Sequence, residues 1–316
     1  MAKHVFGPVL SRRLGRSLGV DLVIPKTCNM NCVFCECGPT PRLAEKRARF
    51  FPVEEVLTEL TSALAQHEID VVTFSGSGEP MLSLDLPVVL AFLKKNYPHL
   101  KTALITNGTL LGDEERAEIL DFDYILPALH AADETVWKKI VRTKVPWTAV
   151  AQGLIKLRQE FKGHLNLEVF LIPGINDQIT QIAPLAKILK QIRPDVIELN
   201  SLDRPGALAW VRPCPRTTLQ AWADELQALT GIKTTIIAKQ TAGKAASPLA
   251  VDWTAAQAAA WNLLARRPAT QEDLLQTTGL SAHRLQQMLQ TWLGQHRIVR
   301  QGNFYCAEKN PPTLQE

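Results

Sequence analysis

Thr27-Cys28-Asn29-Met30-Asn31-Cys32-Val33-Phe34-Cys35 is the stretch from which the rest of the chain is best understood. Three of the six cysteines fall inside it, spaced Cys-x3-Cys-x2-Cys. Such spacing lets one short loop wrap three thiolates around a single metal centre. Zinc is one candidate, but a closed structural zinc site takes four ligands, usually as two separated pairs. Iron–sulfur clusters are held by cysteine thiolates, and short clustered spacings are their usual sequence form. A cubane held by three cysteines leaves one iron with an open coordination position.

Around that stretch lies a chain of 316 residues, long enough for one large α/β domain and a small appendage. Hydrophobic residues make up 46% of it, enough for a sizeable core, and no run of eighteen apolar residues calls for a membrane span. Residues 1–8 lack the apolar centre of a secretion signal, so a cytoplasmic location is expected. In that setting clustered thiols suit metal better than disulfides. The formal charge of +4 is mild, yet residues 1–50 carry nine basic side chains against three acidic ones. That excess flanks the cysteine loop and suits an anionic partner near the site, whether nucleic acid, a phosphorylated substrate or an acidic electron-transfer protein; a merely solvated surface is the alternative.

The apolar run 18–24, closed by Pro25, reads as a first strand, so the cysteine loop follows the C-terminal end of a strand. Strands are then expected at 71–75, 102–106, 124–129, 165–172 and 196–202, alternating with helices, and a last extended run at 233–238. Continuous apolar strands separated by amphipathic helices predict a parallel sheet with right-handed crossovers. Periodicity alone fits a partial barrel, a full barrel or a doubly wound sheet. Residues 239–250 lose periodicity and read as a linker between a barrel over 1–238 and a small domain over 251–310. In the latter, helices near 254–266, 270 onward and 281–293 precede a hairpin, which resembles a winged helix-turn-helix.

Two further motifs end strands. Ser75-Gly76-Ser77-Gly78-Glu79-Pro80 closes the second, and Thr106-Asn107-Gly108 closes the third. Glycines let backbone approach a ligand closely, and a carboxylate at a strand end can accept bonds from an ammonium group. Together with the three cysteines and Phe34 before the last of them, these motifs resemble the radical SAM superfamily.

That resemblance implies a partial (β/α)6 barrel, a [4Fe-4S] cluster on Cys28, Cys32 and Cys35, and S-adenosylmethionine on the open iron. An electron from the reduced cluster then yields a 5′-deoxyadenosyl radical that abstracts hydrogen from a substrate; a reductant such as flavodoxin or ferredoxin is implied as partner. The segment Ser77, Gly78, Glu79 and Pro80 is similar to the family's Gly-Gly-Glu-Pro motif, with Ser77 in place of the first glycine. Asn107 is implied near the ribose or carboxylate, and Pro173 in the loop that frames adenine. His130, Glu198, Asn200 and Cys37 are candidates for catalytic or substrate contacts, with Arg204 beside them; a structural histidine and a stray thiol are the plainer readings. Cys214 and Cys306 stand apart, so a single cluster is expected.

In flavour the chain resembles the wyosine-forming tRNA-modifying group, although residues 1–27 lack the second cysteine set of those synthases. An enzyme acting on RNA or another large substrate is the leading expectation. A peptide- or protein-modifying enzyme and a redox-sensing DNA-binding regulator are the alternatives. His283, Arg284, Gln286, Gln287 and Gln290 would form the recognition face of the C-terminal domain, with Arg297 and Arg300 at the wing. Its six basic residues against five acidic from position 251 would neutralise phosphates only weakly.

Overall fold

The computed structural model describes residues 4–11, 13–237 and 253–308. Alternating strands and helices build one eight-stranded sheet in the order β1 to β8. Strands β2 (Gly15–Val20), β3 (Val71–Phe74), β4 (Lys101–Thr106), β5 (Tyr124–Pro127), β6 (His164–Phe170), β7 (Val196–Asn200) and β8 (Thr234–Ile236) run parallel. The sequence of β3, Val-Val-Thr-Phe, is buried throughout, as a parallel strand covered on both faces must be. The linear strand order makes the sheet a partial barrel.

The crossover helices bury one stripe each. Along α6 (Ile182–Ile192) the buried residues are Ile182, Leu185, Ala186, Leu189 and Ile192, a spacing of three and four that faces the sheet. Helix α1 (Val53–Gln66) opens after Pro52 with Glu54 and Glu55 in its first turn, where acids offset the exposed N–H groups. Between β5 and β6 the chain forms two helices, α4 (Glu134–Val141) and α5 (Trp147–Glu160). The remaining barrel helices are α2 (Leu86–Asn96), α3 (Asp113–Ala117) and α7 (Arg216–Thr230).

The N-terminus departs from the expected single strand. Strand β1 (Val5–Ser11) pairs antiparallel with β2, and the hairpin between them carries Arg13 at its tip. Phe6 explains the fit: its ring lies where a side chain on Gly19 would be, within 2.4 Å of an added Cβ. Strand β2 ends at Val20 rather than at Ile24; Asp21 still donates its backbone N–H to the His4 carbonyl at 2.8 Å, while its side chain accepts hydrogen bonds from Ser77.

Beyond the barrel lie α8 (Trp253–Arg266), β9 (Ala269–Thr270), α9 (Gln271–Thr278), α10 (Ala282–Gly294), β10 (Ile298–Gln301) and β11 (Phe304–Ala307). The expected hairpin is thus a three-stranded antiparallel sheet in the order β10-β11-β9. Ala260, Leu263, Leu274, Leu285, Met288 and Trp292 give these elements a core separate from that of the barrel. Thr270 and Asp273 form a capping box at the start of α9, Gly279 ends it in a left-handed turn, and Ser281 caps α10. Helices α8 and α9 pack against β1. The expected linker falls outside the described residues. No helix among the described residues is long and apolar enough to cross a membrane.

Candidate active site

The cysteine loop leaves the C-terminal end of β2 and is fixed from several sides. Asn31 and Val33 donate backbone hydrogen bonds to Val141 and Ile140 at the end of α4, both at 2.9 Å, and Ala44 donates to the Cys28 carbonyl at 2.8 Å. Met30 and Val33 are buried in the barrel core, while Phe34 stacks on Phe170 and meets the edge of His130. Residues between the cysteines therefore anchor the loop and leave the three half-buried thiols between the anchors. Among the described residues no three His, Cys, Asp or Glu side chains converge on a single-ion position. A cubane binds each thiolate on a different iron, so a wider triangle of sulfurs suits it.

The thiols differ electrostatically. Burial pushes Cys28 up to about 12, with Glu79 acting in the same direction, and burial holds Cys32 well above its usual range. Hydrogen bonding with Cys37 lowers Cys35 to about 6 against the effect of burial, helped by Lys26, whose Nζ lies 3.5 Å from Cys35 Sγ. Lys26, one of the nine basic residues near the N-terminus, thus lies against the third cysteine of the loop.

Glu79 stands beside this loop and is 2% exposed. Its carboxylate accepts from Thr106 Oγ1 at 2.7 Å, Asn107 N at 2.8 Å and Met81 N at 3.1 Å. All three donors are neutral, and burial raises the carboxyl pKa to about 7. A buried carboxylate without a cationic partner is a site that an ammonium group would complete. Gly78 allows the approach: a Cβ there would stand 2.0 Å from the Thr27 carbonyl oxygen, so any side chain would part the two loops. Pro80 is buried at the start of a 3-10 turn, Pro80–Leu82, capped by Glu79.

Asn107 belongs to the same corner, donating from its side-chain amide to Asn29 Oδ1 at 2.8 Å and lying 3.7 Å from Cys28 Sγ. Ser77 is held instead by Asp21, with Ser77 N at 3.0 Å and Oγ at 2.8 Å from Asp21 Oδ2. Pro173 is half-buried after β6. In the same loop Asn176 is buried and spans the His130 and Phe170 carbonyls, both at 2.8 Å, so it shapes the turn.

His130 is buried with Nδ1 accepting from Phe170 N at 3.0 Å, which leaves its proton on Nε2. Burial draws its pKa down to about 4, so the ring is neutral at neutral pH and ties β5 to β6. Glu198 and Asn200 share the inner face of β7, as alternation requires. The partner of Glu198 is Arg13, reaching in from the hairpin tip. It pairs with Glu168 and lies 2.8 Å from Glu198 Oε2, while Asn200 donates to Glu168 and Asn166 donates to Glu198.

Cys37 lines a cavity of about 790 Å³ between the barrel interior and the C-terminal elements, and its sulfur is 3.6 Å from the Gly76 carbonyl. Arg13, Ile105 and Arg204 share that wall. Cys214 is buried away from the loop, and Cys306 lies on β11.

The sequence of the chain matches the model of the radical SAM superfamily over residues 22–184, more than half its length. The chain belongs to that superfamily. Radical SAM proteins bind a [4Fe-4S] cluster and S-adenosylmethionine. The UPF0026 protein slr1464 of Synechocystis sp. is 36% identical over 208 residues, covering 65% of this chain and 77% of that one. A probable dual-specificity RNA methyltransferase RlmN of Thermus thermophilus is 29% identical over 223 residues, covering 66% and 60%. Of a Brachyspira hyodysenteriae protein named GTPase Obg, 38% identical over 206 residues, this chain spans 30%. The fold is shared with a solved structure of TYW1, TM-score 0.53 at 20% identity over 71% of this chain and 76% of that one.

Proposed function

We propose that this radical SAM protein is an enzyme that activates S-adenosylmethionine at Cys28, Cys32 and Cys35 and acts on RNA. The observation that carries the reading is Glu79: a buried carboxylate with neutral partners, seamed by Gly78 to the loop that bears the three thiols. When bound, the reduced cluster supplies the electron that cleaves the sulfonium. The chain's own residues do the rest. Glu79 takes the methionine ammonium, Asn107 donates toward the cofactor, Pro173 frames the far side, and Lys26 offsets charge at Cys35. Arg13 pairs with both Glu168 and Glu198 and keeps the inner wall polar, so that a substrate enters a shaped and hydrogen-bonding chamber.

RNA is favoured by the likeness to the Thermus RNA methyltransferase and by the C-terminal elements, read as a winged helix-turn-helix over residues 251–310. On α10 His283, Arg284, Gln286, Gln287 and Gln290 are exposed, while Leu285, Met288, Leu289 and Trp292 face inward. Arg297 stacks on Trp261 and Trp292, and Arg300 lies over Tyr305, so the wing arginines keep their charge on aromatic faces. The test is anaerobic reconstitution, chemical reduction and incubation with labelled S-adenosylmethionine. Release of 5′-deoxyadenosine, stimulated by total RNA but not by ribonuclease-treated RNA, is the expected result. Absence of cofactor cleavage would overturn the enzymatic reading. Stimulation by a peptide fraction alone would overturn the choice of substrate.

A further inference from the structure

Arg266 lies outside the residues that match the superfamily, yet it ends deep in the barrel wall. It is 7% exposed at the end of α8 and donates from Nε to Asp21 Oδ2 at 3.1 Å. The same oxygen accepts Ser77 N at 3.0 Å and Ser77 Oγ at 2.8 Å. Gly76, with a φ of +141°, leaves room for this carboxylate, since a Cβ there would stand 2.3 Å from Asp21 Cγ. Ser77 in turn accepts a backbone hydrogen bond from Lys26 at 2.9 Å. The guanidinium also lies 4.7 Å from the Phe6 ring centroid. One unbroken run of bonds therefore joins the C-terminal elements to the loop 75–80 and to the approach of the cysteine loop.

We propose that Arg266 is a positioning residue: from the C-terminal domain it fixes Asp21, and through Asp21 it holds Ser77 in place for S-adenosylmethionine. The proposal rests on the assignment of loop 75–80 to the cofactor. Both groups are buried, and Arg266 is the chief influence opposing the effect of burial on the Asp21 carboxyl; without the arginine that carboxyl takes up a proton and holds the Ser77 donors less firmly. The docked domain and the ordered cofactor loop are then two aspects of one equilibrium, and each favours the other. A second arginine crosses the boundary in the opposite sense, and its partner on the C-terminal side, Asp273, provides a control. Arg204, after β7, lies 3.5 Å from Glu36 and 3.4 Å from Asp273 on α9, without touching Asp21.

The experiment uses the full chain with its cluster reconstituted anaerobically, in wild-type, Arg266→Ala, Arg266→Lys, Asp273→Asn and Glu79→Gln forms. Iron content and visible absorbance establish that each is folded and loaded. Hydrogen–deuterium exchange then reports residues 75–80 without cofactor, and equilibrium dialysis measures affinity for labelled S-adenosylmethionine. Arg266→Ala is expected to speed exchange in 75–80 and to weaken cofactor binding roughly tenfold or more, with Arg266→Lys intermediate. Asp273→Asn should stay within about threefold of wild type in binding, because it loosens the Arg204 contact across the boundary and spares Asp21. Wild-type behaviour of Arg266→Ala, or equal effects from Asp273→Asn, overturns the proposal. Unchanged affinity in Glu79→Gln would instead overturn the assignment of the loop to the cofactor, while the exchange data still decide the tether. Should Arg266→Ala fail to take up iron, Arg266→Lys and Asp21→Asn carry the same comparison.

Discussion

The ring of Phe34 lies flat on that of Phe170, centroids 3.9 Å apart and planes 11° from parallel. The residue just before the third cysteine is thus docked on the end of β6, whose backbone is in turn held by His130. The position of Cys35 is set by a packing contact with a strand more than a hundred residues away in sequence.

Phe34→Ala should therefore loosen the loop as well as the core. Truncating a fully buried phenylalanine costs about 3–5 kcal/mol, and the half-buried Phe34 should cost about 2 kcal/mol. Urea unfolding of the cluster-free chain checks this. Reconstituted iron should fall more in Phe34→Ala than in Phe34→Leu, which keeps an apolar wedge over Phe170.

Arg13→Ala leaves Glu168 and Glu198 facing each other without a cation, and should destabilise by about 3–5 kcal/mol at neutral pH. Burial opposes ionisation of Glu168, but Arg13 and His130 hold its carboxyl below the usual range. In wild type that depressed acid contributes stability above its unfolded pKa and loses it as pH falls through the folded one. Without Arg13 burial prevails and the sign reverses. The variant should be more stable near pH 5 than near pH 8, and Glu168→Gln in the same background should restore part of the loss. Urea midpoints across that range provide the check.

Glu79 gives a second pH signature in the cluster-free chain. Its carboxyl is raised to about 7 by burial, so its contribution to stability is complete below the unfolded value of 4.5 and is lost as pH climbs through about 7. At about 1.4 kcal/mol per pH unit, the decline is of order 3 kcal/mol. Glu79→Gln should flatten it in a pH series of urea titrations. The same substitution should weaken S-adenosylmethionine in the reconstituted protein, since it removes the charge that an ammonium would meet.

Replacing Cys28, Cys32 or Cys35 by alanine should each abolish the visible absorbance of the reconstituted cluster. Cys37→Ala, Cys214→Ala and Cys306→Ala should keep it. Iron and sulfide assays separate loss of the cluster from loss of colour alone.

Much of this arrangement is legible in the chain itself. Cys28, Cys32, Cys35 and Glu79 lie in contiguous motifs at strand ends, where local spacing carries the message, and helix α2 begins and ends where its apolar pattern does. Glu198 and Asn200 are legible as an inward-facing pair because alternation along a strand is local as well. The rest depends on contacts across long stretches of sequence. Arg13 looks like one of nine basic residues near the N-terminus, and nothing nearby marks it as the partner of Glu168 and Glu198. Asp21 sits inside an apolar run that reads as continuous strand, and nothing nearby marks its partner Ser77, 56 residues on. β1 escapes notice because Gly7, Pro8 and the glycines after it read as punctuation.

The antiparallel hairpin at the N-terminus has a consequence for the shape of the whole sheet. A strand has two hydrogen-bonding margins, and β2 spends one on β3 and the other on β1. Nothing remains on β2 for β8 to join, and among the described residues the outer margin of β1 pairs with no strand of the sheet, so the cask stays incomplete. The gap therefore lies between β1 and β8, on the side where α8 and α9 pack against β1.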